Sequence, residues 1–270
     1  MVKITSKDNS VLKEYRKLCG SRKHRRQSGK FALEGVRLIC DYAKSGGSIE
    51  ALMVTEKGIE RLGESFPQLS AAAAKTLLLD DAVALSIAET ESPQGVFALC
   101  CGSLELPGLP QNADNGIIML CSLQDPGNVG TILRSAEAFG LSAVVMTSDC
   151  PDAASPKVLR ASMGAAVRIP IYVAADGIEA ITALKQSGIS VYAAALGERS
   201  VPVHQVSLEK SAVVIGNEGS GLPDAVADSC TGRVILPISE GSESLNAAMA
   251  ATVFAWELKK AADGQKGANR

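Results

Sequence analysis

Residues 117–147 read IIMLCSLQDPGNVGTILRSAEAFGLSAVVMT. An apolar run (117–121), a polar turn, a stretch with helical spacing (129–139) and a second apolar run (143–147) spell strand, helix, strand. Buried strands joined across a helix lie parallel, because the helix carries the chain back to the starting edge. The alternation continues, with strands predicted over 166–172, 190–195, 212–215 and 233–236. Helices are predicted over 156–163, 177–186 and 223–228, and a long final one from about 245 to 260. The expected fold class is α/β, a parallel sheet covered on both faces. The tail after Ala262 reads as unstructured.

Upstream, a helix over 11–19, a strand over 30–34, a helix over 35–43 and strands over 49–55, 76–79 and 94–101 make a smaller α/β pattern. Between the halves, ELPGLPQNADN (105–115) has the prolines and glycine of a linker. The expected domains are therefore 1–104, a linker over 105–115, and 116–270.

The chain has 270 residues, 46% of them apolar and 21% charged, with a net charge of −2, which excludes disorder throughout. No apolar run reaches the length of a membrane span, and Lys3, Lys7 and Asp8 open the chain where a secretory leader would need an apolar core. A cytoplasmic protein is expected. Seven cysteines at irregular spacing, with no C-x-x-C, read as free thiols. With two histidines, no metal site is expected.

Charge is uneven. Residues 1–30 hold ten basic side chains against Asp8 and Glu14, while the other 240 carry 17 basic and 27 acidic groups. A basic head on an acidic body suits a polyanion, and the cluster Lys23-His24-Arg25-Arg26 points to nucleic acid. Composition does not separate RNA from DNA.

Three segments carry chemistry. In 124–140, Asn128 is a candidate helix N-cap, and Arg134 follows six residues later. Both are then placed near the sheet's C-terminal edge, where ligands bind in open α/β sheets. In AVVIGNEGSGLP (212–223) a buried strand runs into a glycine loop. The spacing G-x-x-G-x-G is neither the dinucleotide fingerprint nor a phosphate loop. Glu218 suits that loop to a cation or a hydroxyl. In 234–252 a strand ends at Pro237, a polar loop follows, and alanines at 247, 248, 250 and 251 allow a close backbone approach.

Together these segments resemble the SpoU/TrmH family of RNA ribose 2′-O-methyltransferases, within the SPOUT superfamily. The family motifs appear as Asn128-x-Gly130-x-x-x-Arg134-x-Ala136-x-Ala138-Phe139-Gly140, as Ile215-Gly-Asn-Glu-Gly-Ser-Gly-Leu222, and as Leu236-Pro-Ile-Ser-Glu-Gly-Ser-Glu-Ser-Leu-Asn246. Ala247-Ala248 stands where Val-Ser is more usual. The first half resembles the family's L30e-like RNA-binding domain through FALEGVR (31–37).

The resemblance implies a trefoil knot, S-adenosylmethionine as cofactor, no metal, and a homodimer through the catalytic domain. It implies Arg134 as the catalytic residue, with Asn128, Glu218, Ser244 and Asn246 positioning ribose and phosphate. Gly216, Asn217, Gly219, Leu236 and Leu245 would contact the cofactor, with Leu196 and Ile238 beside its adenine. Arg22, Lys23, Arg25, Arg26, Lys30 and Arg37 would contact RNA. The separate first domain favours ribosomal RNA, 23S above all, over tRNA. A non-catalytic RNA-binding assembly factor is the alternative of a different class.

Overall fold

A computed structural model describes residues 1–197, 199–239 and 244–268. The chain forms two compact units, one of 1–104 with 152–168, the other of 105–151 with 169–270.

The first unit runs β1 (Val2–Ile4), α1 (Ser10–Gly20), α2 (Arg22–Ser28), β2 (Lys30–Glu34), α3 (Val36–Lys44), β3 (Ser48–Val54), α4 (Glu56–Leu62), α5 (Ser65–Ala72), β4 (Ala73–Leu79), α6 (Asp81–Leu85) and β5 (Val96–Cys101). The sheet order is β1-β4-β3-β5-β2, with β4 parallel to β1 and β3, and β5 antiparallel to β2 and β3. Leu12, Tyr15 and Leu18 recur at helical spacing on α1 and are buried against the sheet. The Tyr15 ring meets Phe97 edge-on at 5.8 Å between centroids.

The second unit holds β6 (Glu105–Leu106), β7 (Ile117–Leu120), α7 (Pro126–Ala138), β8 (Ala143–Thr147), β9 (Ile171–Ala174), α9 (Gly177–Gln186), β10 (Ser190–Ala194), β11 (Ser200–Pro202), β12 (Ser211–Ile215), α10 (Asp224–Ser229), β13 (Gly232–Ile235) and α11 (Ala247–Ala268). Its sheet order is β11-β13-β10-β12-β7-β8-β9-β6, and neighbouring strands run parallel. The central strands are buried along their whole length and almost wholly apolar because both faces are covered. Ile215 aligns with Leu120, and Leu120 with Met146, so three strands end at one level. With β8 on one side of β7 and β12 on the other, the connections leave in opposite directions. The C-terminal edge at such a point is where open α/β sheets bind ligands.

Several details differ from the sequence reading. Residues 105–106 of the expected linker pair with β9 as a sheet edge. Residues 152–168, read as part of the second domain, supply α8 (Pro156–Ala161) and a 3-10 turn at Ala165–Val167 to the first unit. The strand expected over 166–172 therefore begins only at Ile171, since Gly164, at φ +87°, starts the turn. The final helix continues through Ala268 instead of ending near 260, supported by an i,i+4 pair between Lys259 and Asp263 at 2.7 Å. The expected knot involves the path from β13 to α11, of which 240–243 lie outside the described residues. All seven cysteines are free thiols. Among the described residues no helix is long and apolar enough to cross a membrane, and no cluster of metal ligands occurs.

Candidate active site

The N-terminus of α7 follows the C-terminal end of β7. Its cap is Asp125, whose Oδ1 accepts from the Gly127 N–H at 2.7 Å, and Pro126 occupies the first turn. Asn128, expected as the cap, lies inside the helix instead. Asp125 satisfies the orphan donor first, and proline at the first helical position needs none. Val129, Ile132, Leu133 and Ala136 are buried at helical spacing. Full burial of each larger one is worth about 2 kcal/mol.

The glycine loop after β12 is folded on itself. Gly216 has no room for a side chain, since a Cβ would stand 2.5 Å from the carbonyl carbon of Gly221. Gly221 is left-handed at φ +69°. The Oδ1 of Asn217 accepts from the Gly219 and Ser220 N–H groups, and its Nδ2 donates to the Ser122 carbonyl at 2.8 Å. The Asn217 side chain, expected at the cofactor, is thus taken up in joining the ends of β12 and β7.

Glu218 reaches from this loop to α7. Its carboxylate accepts from the backbone N–H groups of Gln124 (3.0 Å) and Asp125 (3.1 Å) and from Nδ2 of Asn128 (2.9 Å). Burial alone pushes its carboxyl up. The hydrogen bonds from Asn128 and Gln124 outweigh that and hold it below its ordinary value. It is an acceptor of fixed N–H groups, not the open cation or hydroxyl ligand that the sequence suggested.

Asn246 completes the chain of contacts. Its Oδ1 caps α11 by accepting from the Ala248 N–H at 2.9 Å and the Met249 N–H at 3.2 Å. Its Nδ2 donates to Oδ1 of Asn128 at 3.1 Å. One residue from each of the three segments therefore stands in a single line, Asn246 to Asn128 to Glu218. Alanines 248 and 251 are buried where α11 crosses α7, and Ser135 and Thr252 bond between the helices at 2.7 Å.

Arg134 is exposed on α7, and no hydrogen bond or ion pair holds its guanidinium among the described residues. It is available to an anionic group. An apolar cleft of about 160 Å³ lies on the same unit, walled by Leu196, Leu236, Ile238, Leu245 and Phe254, with Ser244 at its edge. Leu196 is 73% exposed, Ile238 39% and Leu245 43%, an unusual cost for leucines and isoleucine unless a ligand covers them. The cleft suits a flat aromatic ring. It groups Leu196, Leu236, Ile238, Ser244 and Leu245, while Gly216, Asn217 and Gly219 do not line it. Phe254 and Ala250 also line it. Sequence reading missed them because they look like any core positions of a helix.

The basic residues divide. Arg25 is buried at 7% exposure, paired to Asp152 at 2.7 Å and bonded to the carbonyls of Leu18 and Cys19. The expectation that it contacts RNA is corrected, because its charge is spent inside the first unit. Lys30 pairs with Glu50 at 2.6 Å. Lys23, Arg26 and Arg37 are exposed, and Arg22 is half-buried.

Residues 115–256 match the model of the SpoU rRNA Methylase family, and residues 9–98 match the MRM3-like substrate binding domain. The chain is 29% identical over 260 residues to the 23S rRNA (guanosine(2553)-2′-O)-methyltransferase RlmP of Bacillus subtilis, covering 96% of this chain and 100% of that one. It is 31% identical to an uncharacterized tRNA/rRNA methyltransferase of Synechocystis, covering 95% of this chain and 93% of that one. The crystal structure of an AdoMet-bound rRNA methyltransferase from Sinorhizobium meliloti superposes with a TM-score of 0.83 at 27% identity, covering 96% of this chain and 97% of that one.

Proposed function

The chain belongs to the SpoU rRNA methylase family, and on that premise we propose that it transfers the methyl group of S-adenosylmethionine to a ribose 2′-hydroxyl of 23S rRNA. One observation carries the reading: the line Asn246–Asn128–Glu218 ties three separate segments together at the sheet's C-terminal edge, on the helix that bears Arg134, exposed and without an ion pair among the described residues.

S-adenosylmethionine supplies an activated methyl group on a sulfonium. The apolar cleft fits its adenine, with Leu196, Leu236, Ile238 and Leu245 as the holding residues; Gly216 and Gly219 are assigned to the rest of the cofactor. This chain's task is to orient the ribose and stabilise the alkoxide that develops at its 2′-oxygen. Arg134 is the residue for that charge. A guanidinium is always protonated, so it acts by electrostatic stabilisation and not as a base, and the hydroxyl proton passes to a phosphate of the RNA substrate. Asn128 is held by both neighbours, which fixes the α7 N-terminus and so the site from which Arg134 projects. Ser244, at the cleft edge, is placed to position ribose or phosphate.

Lys23, Arg26 and Arg37 are the accessible cations for RNA phosphates. The functional unit is a homodimer through the catalytic unit. Met249, Val253 and Trp256 support this, as they recur at i, i+4 and i+7 on α11 and are 58%, 40% and 48% exposed. With ribosomal RNA as substrate, the reaction takes place in the cytoplasm.

The test is tritiated methyl transfer from S-adenosylmethionine to total ribosomal RNA and to total tRNA from cells lacking the gene. Label in ribosomal RNA, at a ribose resistant to alkali, is expected. Label in tRNA alone replaces the substrate. No transfer to either, with cofactor binding intact, favours the non-catalytic assembly factor.

A further inference from the structure

The first unit contains a concavity of about 300 Å³, walled by Arg37 and Leu38 of α3, Leu159 and Arg160 of α8, Met163 and Gln94. That volume is at the small end of ligand sites, which run from about 300 to 1,000 Å³. It suits one nucleotide and not an extended cofactor.

The charges leave two cations open. Arg160 is exposed, and no hydrogen bond or ion pair holds its guanidinium among the described residues. Arg37 is 72% exposed and only loosely paired with Asp41 at 3.8 Å, while Arg168 makes the close bond to that carboxylate. Glu34 also lines the concavity, but its carboxylate is engaged by the Glu89 N–H at 2.7 Å and by the Thr90 hydroxyl. The Oε1 of Gln94 accepts from the Val36 N–H at 2.8 Å, which leaves its amide NH₂ as a donor.

The wall is also strained. Met163 adopts φ +50°, a conformation that costs a non-glycine residue about 1–2 kcal/mol, and presents its side chain half exposed. Such strain persists where surrounding structure imposes it, and it concentrates at ligand sites. Here the following 3-10 turn and Gly164 hold it in place.

The geometry points to a binding subsite for one unstacked nucleotide of the RNA substrate. Its base lies against Met163 and Leu38, Arg37 and Arg160 take its phosphates or stack on its face, and the Gln94 amide donates to its edge. This rests on the RNA substrate proposed above and adds a contact that reads a single-stranded base. Surface lysines alone would follow only the backbone.

The test measures binding of a labelled, mixed-sequence single-stranded RNA hexanucleotide to the full chain, alongside S-adenosylmethionine binding and methyl transfer. R37Q/R160Q should weaken RNA binding about ten-fold and lower the slope of log K against log salt by about one. M163W, which fills the concavity without changing charge, should weaken it several-fold. M163F serves if the tryptophan variant misfolds. In both variants cofactor affinity and thermal midpoint should stay at wild-type values, and the loss should appear in KM for RNA with kcat little changed. Wild-type RNA binding by either variant overturns the subsite. Loss with R37Q/R160Q but not with M163W would show a phosphate contact on an open surface. If the wild type binds the hexanucleotide but transfers no methyl group to any RNA, the proposed activity fails while the subsite is still judged by the variants.

Discussion

Asn246 donates its side-chain amide to Oδ1 of Asn128 at 3.1 Å, across 118 positions of sequence. The direction of that bond is set from both ends. The Asn246 oxygen is committed to two peptide N–H groups at the start of α11, and Glu218 at the far end can only accept. Asn128 therefore has one allowed orientation, and the line holds α7, α11 and the glycine loop in register.

Asn246→Asp separates the two duties of that residue. A carboxylate caps a helix as well as an amide does, but it cannot donate to Asn128. Thermal stability should fall by less than about 1 kcal/mol, and methyl transfer by about a hundred-fold. Asn246→Ala loses the cap as well and should cost about 1–2 kcal/mol. Paired unfolding and transfer assays distinguish the variants.

Arg134→Ala should lower methyl transfer by a factor of about 10²–10³ and leave stability within about 0.5 kcal/mol, since no described residue depends on it. Calorimetry should find S-adenosylmethionine affinity within a few-fold of wild type. Equal loss of cofactor binding would remove Arg134 from its assigned role.

Glu218 makes stability depend on acid. Its carboxyl lies below the ordinary 4.5 in the folded chain. It therefore contributes stability above that value, and the contribution is lost as pH falls through the lower folded one. Between about pH 5 and 3 the thermal midpoint of the wild type should drop more steeply than that of Glu218→Gln. Parallel curves would show that the carboxylate's bonds are not retained in solution.

Arg25→Ala leaves Asp152 buried without its cation and should destabilise the first unit by about 3–5 kcal/mol. Lys23→Gln, at an exposed position, should leave stability within about 0.5 kcal/mol while weakening RNA binding and flattening its salt dependence. Denaturant melts of the two variants separate the buried cation from the exposed one.

The parallel sheet was legible because buried strands such as 143–147 are almost wholly apolar, without the alternation of a half-exposed strand, and such runs alternate with helical spacing. Arg134, Glu218 and Asn246 were legible as residue types in a motif. Their partners were not, because hydrogen bonds over 90 or more positions leave no periodic signal. Edge strands of two or three residues, β1, β6 and β11, are too short to show a period. Helix α2 reads RKHRRQS and has no apolar stripe, so it looked like a solvated run while it turned Arg25 inward. The cap of α7 was misplaced by three residues because Asp125 and Asn128 are both good N-caps. Pro126, common at the first helical position, was the cue that separates them.

The distance in sequence between Asn128 and Asn246 also sets a schedule. Synthesis runs at about 5–20 residues per second, so the last member of the line is added roughly 6–24 s after Asn128. Until then Glu218 and Asn128 stand without their capped partner, and α7 lacks the helix that covers it. A chain still being synthesised therefore has the first helix of the site before it has the residue that joins that helix to α11, and the line Asn246 to Asn128 to Glu218 closes only once residue 246 has been added.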